Sequence, residues 1–349
     1  MDYELSLDVS RPLDLLKICP AYKQTPVVEI ALLNNFRLLV KDETNRMGLG
    51  SFKALGGIYA VAKFLLEQWQ KEKGFELPAH RLIDPEIKSW SSKFTFVCAS
   101  AGNHGMAVAK GAELFNARCR VHIARPVPAS FAQRLTALGA VVIRSGETYE
   151  QSMLAAMNEN SEGRVLLADS SWPGYYHLPM LVMEGYSVIA EEMRQGFLRD
   201  NNWPTHVFLQ AGVGGLAASI AFEIRKKWKH QPKIIVVEPQ AAPCLFESHK
   251  LGRLTKVSGP ISSMGRLDCK EPSLIAFDIL NDLADDFVCI SDDEAVAAVN
   301  FLAQSELATT PSGAAGIAAI LLNSELDSKF NIAIPDGSIC LAIVSEGSL

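Results

Sequence analysis

Between residues 94 and 168, short apolar runs alternate with amphipathic stretches, and this alternation restricts the fold more than any other feature. Apolar runs fall at 94–99, 120–124, 140–144 and 164–168. Helix-like periods fill the gaps at 105–116, 129–138 and 149–158. Strands that read as continuous apolar runs and are separated by amphipathic helices predict βαβ units on a parallel sheet. Four strands joined by three crossover helices can close a small domain of their own.

A second set of elements follows. Helical patterns are expected at 181–197, 292–305 and 313–323, and strands at 205–210, 233–238 and 338–344. The stretches 71–92 and 238–272 read as irregular. The fold class is therefore α/β, with two domains and mostly parallel sheets, and 349 residues are enough for both cores. The expected division gives 1–59 with 179–349 to a large domain, and 60–178 to a small, mobile substrate domain.

A net charge of -6 implies no broad basic surface, so nucleic acid is not an expected partner. No apolar run is long enough for a membrane span, and residues 1–10 lack the apolar core of a secretory signal. The seven cysteines are scattered without a Cys-x-x-Cys pair, which reads as reduced thiols in a cytoplasm-like compartment. No His or Cys pair has metal-ligand spacing, so no metal is expected.

Four places carry candidate chemistry. Lys53 lies in Ser51-Phe52-Lys53-Ala54-Leu55-Gly56-Gly57, where a helix pattern begins. An amine in a first helical turn feels the positive end of the helix dipole, which favours the neutral, nucleophilic form. Taken alone, the heptapeptide fits a solvated surface lysine better. Ser100, Ala101, Gly102, Asn103 and His104 follow a strand and precede a helix, a place where backbone N–H groups hold a carboxylate. The same turn also fits a plain Asn cap.

Gly212, Val213, Gly214, Gly215 and Leu216 form a loop that lets backbone wrap a phosphate at a helix start. Gly212-x-Gly214-x-x-Ala217 also matches the dinucleotide fingerprint, with Glu238 where the ribose-binding acid belongs. On those residues alone the dinucleotide reading leads. Ser312-Gly313-Ala314-Ala315-Gly316 and Ser345-Glu346-Gly347 are weaker signals, since small residues there also serve tight packing.

Taken in order, these sites resemble the pyridoxal 5'-phosphate (PLP) β-family, fold type II, which includes threonine and serine dehydratases, cysteine synthases and diaminopropionate ammonia-lyases. The segment from Lys41-Asp42-Glu43 to Gly57 is most similar to the diaminopropionate group. So are Gly102-Asn103-His104-Gly105, Asp169-x-x-Trp172-x-Gly174-Tyr175, Glu184-Gly185-Tyr186, the run from Pro204 to Gly214, and Val237-Glu238-Pro239. The resemblance implies a homodimer acting on a small amino acid, with the cofactor in a cleft between the domains. It implies that Lys53 is the Schiff-base lysine and proton shuttle. Asn103 would bond the ring oxygen, residues 212–216 would cradle the phosphate, and Ser345 would face the pyridine nitrogen. Ser100, Ala101, Gly102 and His104 would receive the substrate carboxylate, and Asp169 would act on the side chain.

The implied activity is β-elimination to a 2-oxo acid and ammonia. Serine or threonine dehydration and β-replacement are the alternatives within the family, and a PLP- or ligand-binding protein without turnover is the alternative outside it. The dinucleotide reading leaves Lys53, Asn103 and Ser345 without a role. Two positions depart from the diaminopropionate group. Ala101 stands where that group carries an aspartate taken as the base for one enantiomer. Pro311 stands where a glutamate is usual.

Overall fold

The computed structural model describes residues 3–30, 36–159, 161–324 and 329–348. Among the described residues, ten strands run in chain order: β1 (Val27–Ile30), β2 (Arg37–Asp42), β3 (Thr95–Ala99), β4 (Arg118–Ile123), β5 (Val141–Arg144), β6 (Arg164–Leu166), β7 (His206–Gln210), β8 (Lys233–Pro239), β9 (Asp286–Ile290) and β10 (Ile339–Val344). The chain divides into two compact units. One comprises Met1–Tyr22, Lys53–Asp169 and Tyr175–Gly185, and the other Lys23–Phe52, Ser170–Gly174 and Tyr186–Leu349.

The first unit holds a four-stranded sheet in the order β5-β4-β3-β6, all parallel. This is the small sheet that the alternation predicts. β3 is buried along its whole length, which explains its unbroken apolar run. The helix Lys53–Lys73 packs on the helix Asn103–Leu114 through small residues. A Cβ on Gly57 would lie 2.5 Å from Ala107 Cβ, and one on Gly111 would lie 3.1 Å from Val61 Cβ. Only glycine allows backbones this near.

The second unit holds a six-stranded sheet in the order β1-β2-β10-β7-β8-β9. β1 pairs antiparallel with β2, and the other neighbours are parallel. Its core gathers Leu38, Val40, Phe208, Ile235, Val237 and Ala342 from four strands, with Ala315 and Ala319 of the helix Pro311–Ser324. Alanines on that helix let it lie close over the sheet.

The division departs from the expected one at both ends. Lys53–Lys73 goes with the first unit because its glycines and alanines pack on Asn103–Leu114, so that boundary lies at residue 53 rather than 60. The N-terminal segment joins the same unit. There the buried Glu184 carboxylate accepts the Asp8 N–H at 2.9 Å, the Arg11 guanidinium at 3.2 Å and the Tyr59 hydroxyl at 2.5 Å. Glu184 and Gly185, part of the Glu184-Gly185-Tyr186 signature, therefore serve packing. A Cβ on Gly185 would meet Gly56 Cα at 2.7 Å. Among the described residues, no helix is long and apolar enough to cross a membrane.

Candidate active site

In the first unit, Lys53 is the first residue of a 21-residue helix. Its Nζ lies 2.5 Å from Asp169 Oδ2, and the two side chains are 19% and 17% exposed. The pair joins residues 116 positions apart. Burial works to raise the Asp169 carboxyl, but the Lys53 amine beside it outweighs that and holds it well below the ordinary range. Asp169 is therefore ionised. The stretch before it is fixed by Tyr175, whose hydroxyl donates to the Leu166 carbonyl at 2.7 Å and accepts the Ala168 N–H at 3.1 Å. The sequence reading gave Tyr175 no role, although it closes the Asp169-x-x-Trp172-x-Gly174-Tyr175 signature.

The loop 100–104 leads from β3 into the helix Asn103–Leu114. Gly102 is the N-cap, and Asn103 is the first helical residue. Asn103 therefore does not cap this helix, and the plain-cap reading fails. The Ser100 hydroxyl accepts the Gly102 N–H at 3.3 Å. Gly105 is required by the turn, since a Cβ there would lie 2.1 Å from the Ser100 carbonyl oxygen. Asn103 and His104 are both buried. His104 Nε2 bonds the Leu167 carbonyl at 2.8 Å, and Nδ1 lies 3.9 Å from Asp169 Oδ2. Burial holds the imidazole below its ordinary range, against the pull of Asp169.

In the second unit, β7 ends at Gln210, and the glycine loop leads into the 13-residue helix Gly215–Lys227. Gly214 is its N-cap, left-handed at φ 99°, and no side chain caps the helix. A Cβ on Gly212 would lie 3.0 Å from Cys269 Sγ, and one on Gly214 would lie 3.0 Å from Ala276 Cβ. Packing on these residues fixes the loop as bare backbone at a helix start. Gln210 braces its foot, donating to the carbonyls of Ile343 at 2.8 Å and Gly313 at 3.3 Å. Two residues beyond Ile343, Ser345 is buried, and its carbonyl accepts the N–H of Phe52, the residue before Lys53.

Glu238 decides against the dinucleotide reading. It lies one residue before the end of β8, but it is fully buried and accepts the N–H groups of Leu245 at 2.8 Å and Phe246 at 2.6 Å. It caps the helix Cys244–Leu251, so its oxygens serve the chain rather than a ribose. Lys41 and Glu43 are also structural, joined with Arg46 and Glu192 in a buried ion network.

Residues 18–340 match the family model described as pyridoxal-phosphate dependent enzyme. The chain belongs to this family. Its cofactor is PLP and its fold is fold type II. The chain is 36% identical over 292 residues to the diaminopropionate ammonia-lyase of Salmonella typhimurium, covering 81% of this chain and 72% of that one. It is 29% identical over 343 residues to the enzyme of the same name from Escherichia coli, covering 93% and 85%. The holo crystal structure of the Escherichia coli enzyme superposes with a TM-score of 0.86 at 24% identity, over 99% of this chain and 92% of that one. At that identity the superposition speaks for the fold.

The residues present suit the family's cofactor. An uncapped helix start bears several N–H donors without intrahelical partners, which is the donor set a phosphate needs. A lysine in the first turn of another helix, its side chain 19% exposed, is placed to meet an aldehyde.

Proposed function

We propose that this protein is a PLP-dependent ammonia-lyase that eliminates the β-substituent of a small L-amino acid, diaminopropionate being the first substrate to try. The pairing of Lys53 with the ionised Asp169 carries this reading. Lys53 Nζ holds the cofactor and moves the Cα proton. Asp169 orients that amine and faces the departing substituent. The N–H groups of 212–216 hold the phosphate, Asn103 the ring oxygen and Ser345 the pyridine nitrogen. Ser100, Ala101, Gly102 and His104 form the loop that receives the substrate carboxylate. PLP supplies the electron sink that lets the Cα–H bond ionise. A neutral hydroxyl at the ring nitrogen weakens that sink, which is enough when a leaving group departs at once.

Ala101 offers no proton acceptor, so the reading is for the L-enantiomer. Ala101 also favours a second reading, dehydration of serine or threonine, because the run Ser100 to Asn103 is closer to the dehydratases. The reading also includes a homodimer in a reducing, cytoplasm-like compartment, in keeping with seven free thiols among the described residues.

The test begins with the visible spectrum of the purified protein, before and after borohydride, followed by peptide mapping. A yellow band that reduction bleaches, with the cofactor then fixed to Lys53, is expected. Diaminopropionate should then give two ammonia per pyruvate, whereas serine gives one. A Lys53→Ala variant that still releases ammonia at the wild-type rate would overturn the assignment.

A further inference from the structure

His104 carries a buried polar atom that the activity described above does not use. Its ring is 4% exposed. Nε2 bonds the Leu167 carbonyl, which can only accept, so Nε2 carries the proton. Nδ1 of the neutral ring is then a bare acceptor. Among the described residues it has no hydrogen-bond partner, and it faces Asp169 Oδ2 at 3.9 Å. Two acceptors opposed at this distance repel unless a donor joins them, and a buried acceptor without one costs free energy. Asp169 already holds the Lys53 ammonium on that same oxygen.

We propose that His104 is a specificity residue: its Nδ1, together with Asp169 Oδ2, receives the side-chain ammonium of the substrate and selects it over a hydroxyl. This rests on the ammonia-lyase reading. A substrate whose Cα proton passes to Lys53 Nζ carries its β-nitrogen about 2.5 Å from that Cα, by covalent geometry. Asp169 and His104 border the same space.

The chemistry of departure agrees. The Cα–H pair becomes the Cα–Cβ double bond, the Cβ–N bond breaks, and its electrons leave with nitrogen. An ammonium departs as ammonia and needs no further proton. A hydroxyl must gain a proton to depart as water. An ionised Asp169 and a neutral His104 with its only N–H engaged can orient the first group but cannot protonate the second.

His104→Gln tests the role, since its amide can keep the donor to Leu167 while Nδ1 is lost. Calorimetry on the holoenzyme would use two ligands without an α-proton, α-methyl-diaminopropionate and α-methylserine. The wild type should prefer the diamine by about tenfold, the worth of one charge-assisted bond, and the variant should lose most of that preference. In wild-type holoenzyme with isotope-labelled histidine, the His104 Nδ1 resonance should move when the diamine binds and stay in place with α-methylserine. This second measurement does not depend on the variant folding. A preference that survives in the variant, or an Nδ1 resonance indifferent to the diamine, overturns the proposal. If wild-type protein binds no PLP or releases no ammonia from diaminopropionate, the ammonia-lyase reading fails first. If it does both and the preference is unchanged by His104→Gln, the role of His104 alone fails.

Discussion

Lys53 Nζ and Asp169 Oδ2 are in hydrogen-bond contact at 2.5 Å, and Asp169 is held ionised by that contact. Asp169→Asn keeps the shape and removes the charge. It should lower kcat by ~10²-fold, the usual worth of a positioned acid–base group, while the visible band of bound PLP persists. Because the Asp169 carboxyl is depressed below its ordinary 3.8, its charge outlasts the ordinary aspartate range as pH falls. The acid limb of the wild-type pH–rate profile should therefore show no aspartate titrating near its ordinary value. Unchanged kcat in the variant would remove Asp169 from the chemistry.

Gly105 and Gly139 separate steric demand from backbone strain. A Cβ at Gly105 would lie 2.1 Å from Ser100 O, and neither atom can yield without moving the loop expected to hold the substrate carboxylate. Gly105→Ala should cost about 3 kcal/mol in urea unfolding and raise KM. Gly139 has φ 77° and nothing within 4 Å of an added Cβ. Gly139→Ala should cost about 1 kcal/mol, from left-handed strain alone, with KM unchanged.

The alternation of residues 94–168 was legible because β3 to β6 are consecutive parallel strands with a helix between each pair, so local periodicity and global topology agree. The helix Cys244–Leu251 was hidden inside a stretch that reads as irregular, because its cap is the Glu238 carboxylate rather than a local signal. Leu274–Leu283 does carry a helical period, with Asp278, Asn281 and Asp282 on one face, yet the sequence reading assigned it no element. The edge pair β1–β2 is short, and only β2 is buried through most of its length. Lys53 and Asp169 could be joined only through resemblance, since no periodicity reaches across 116 positions. Pro311, which departs from the diaminopropionate group, now has a setting. It opens the helix Pro311–Ser324, where a missing N–H costs nothing, and the Glu346 carboxylate reaches in to accept the Thr310 hydroxyl at 2.5 Å.

Glu238 makes stability depend on pH. Burial pushes its carboxyl up to about 8, although the N–H groups of Leu245 and Phe246 favour the charge. A carboxyl raised on folding binds its proton more tightly in the native state. Its contribution is therefore full below the ordinary 4.5 and is lost as pH rises towards 8. Thermal melts should show Tm falling across that interval. Glu238→Gln, which stays neutral and keeps an acceptor for the helix start, should flatten the fall. An equal slope in the variant would assign the pH dependence to other groups.

Glu192 is the hinge of the buried network in the second unit. Its carboxylate takes Lys41 Nζ at 2.6 Å and Arg46 at 2.8 and 2.7 Å, while Glu43 takes Arg46 at 2.7 Å on each of its oxygens. Two cations and two anions cancel there with almost no exposure. Burial pulls the Lys41 amine below its ordinary range, against the pull of Glu192 and Glu43. Glu192→Gln leaves one buried cation without an anion and should cost about 3–5 kcal/mol in urea unfolding. Lys41→Met restores neutrality in the Glu192→Gln background. The double variant should therefore be more stable than the sum of the two single losses allows, by more than about 1 kcal/mol of coupling. Additive losses would mean that Lys41 and Glu192 act independently, and the network would then be a set of separate contacts. The segment it pins, 41–46, leads directly to Ser51 and Phe52, whose N–H is held by Ser345. The double variant should thus recover stability and PLP binding together, measured by urea melts and by titration of the apoprotein with PLP.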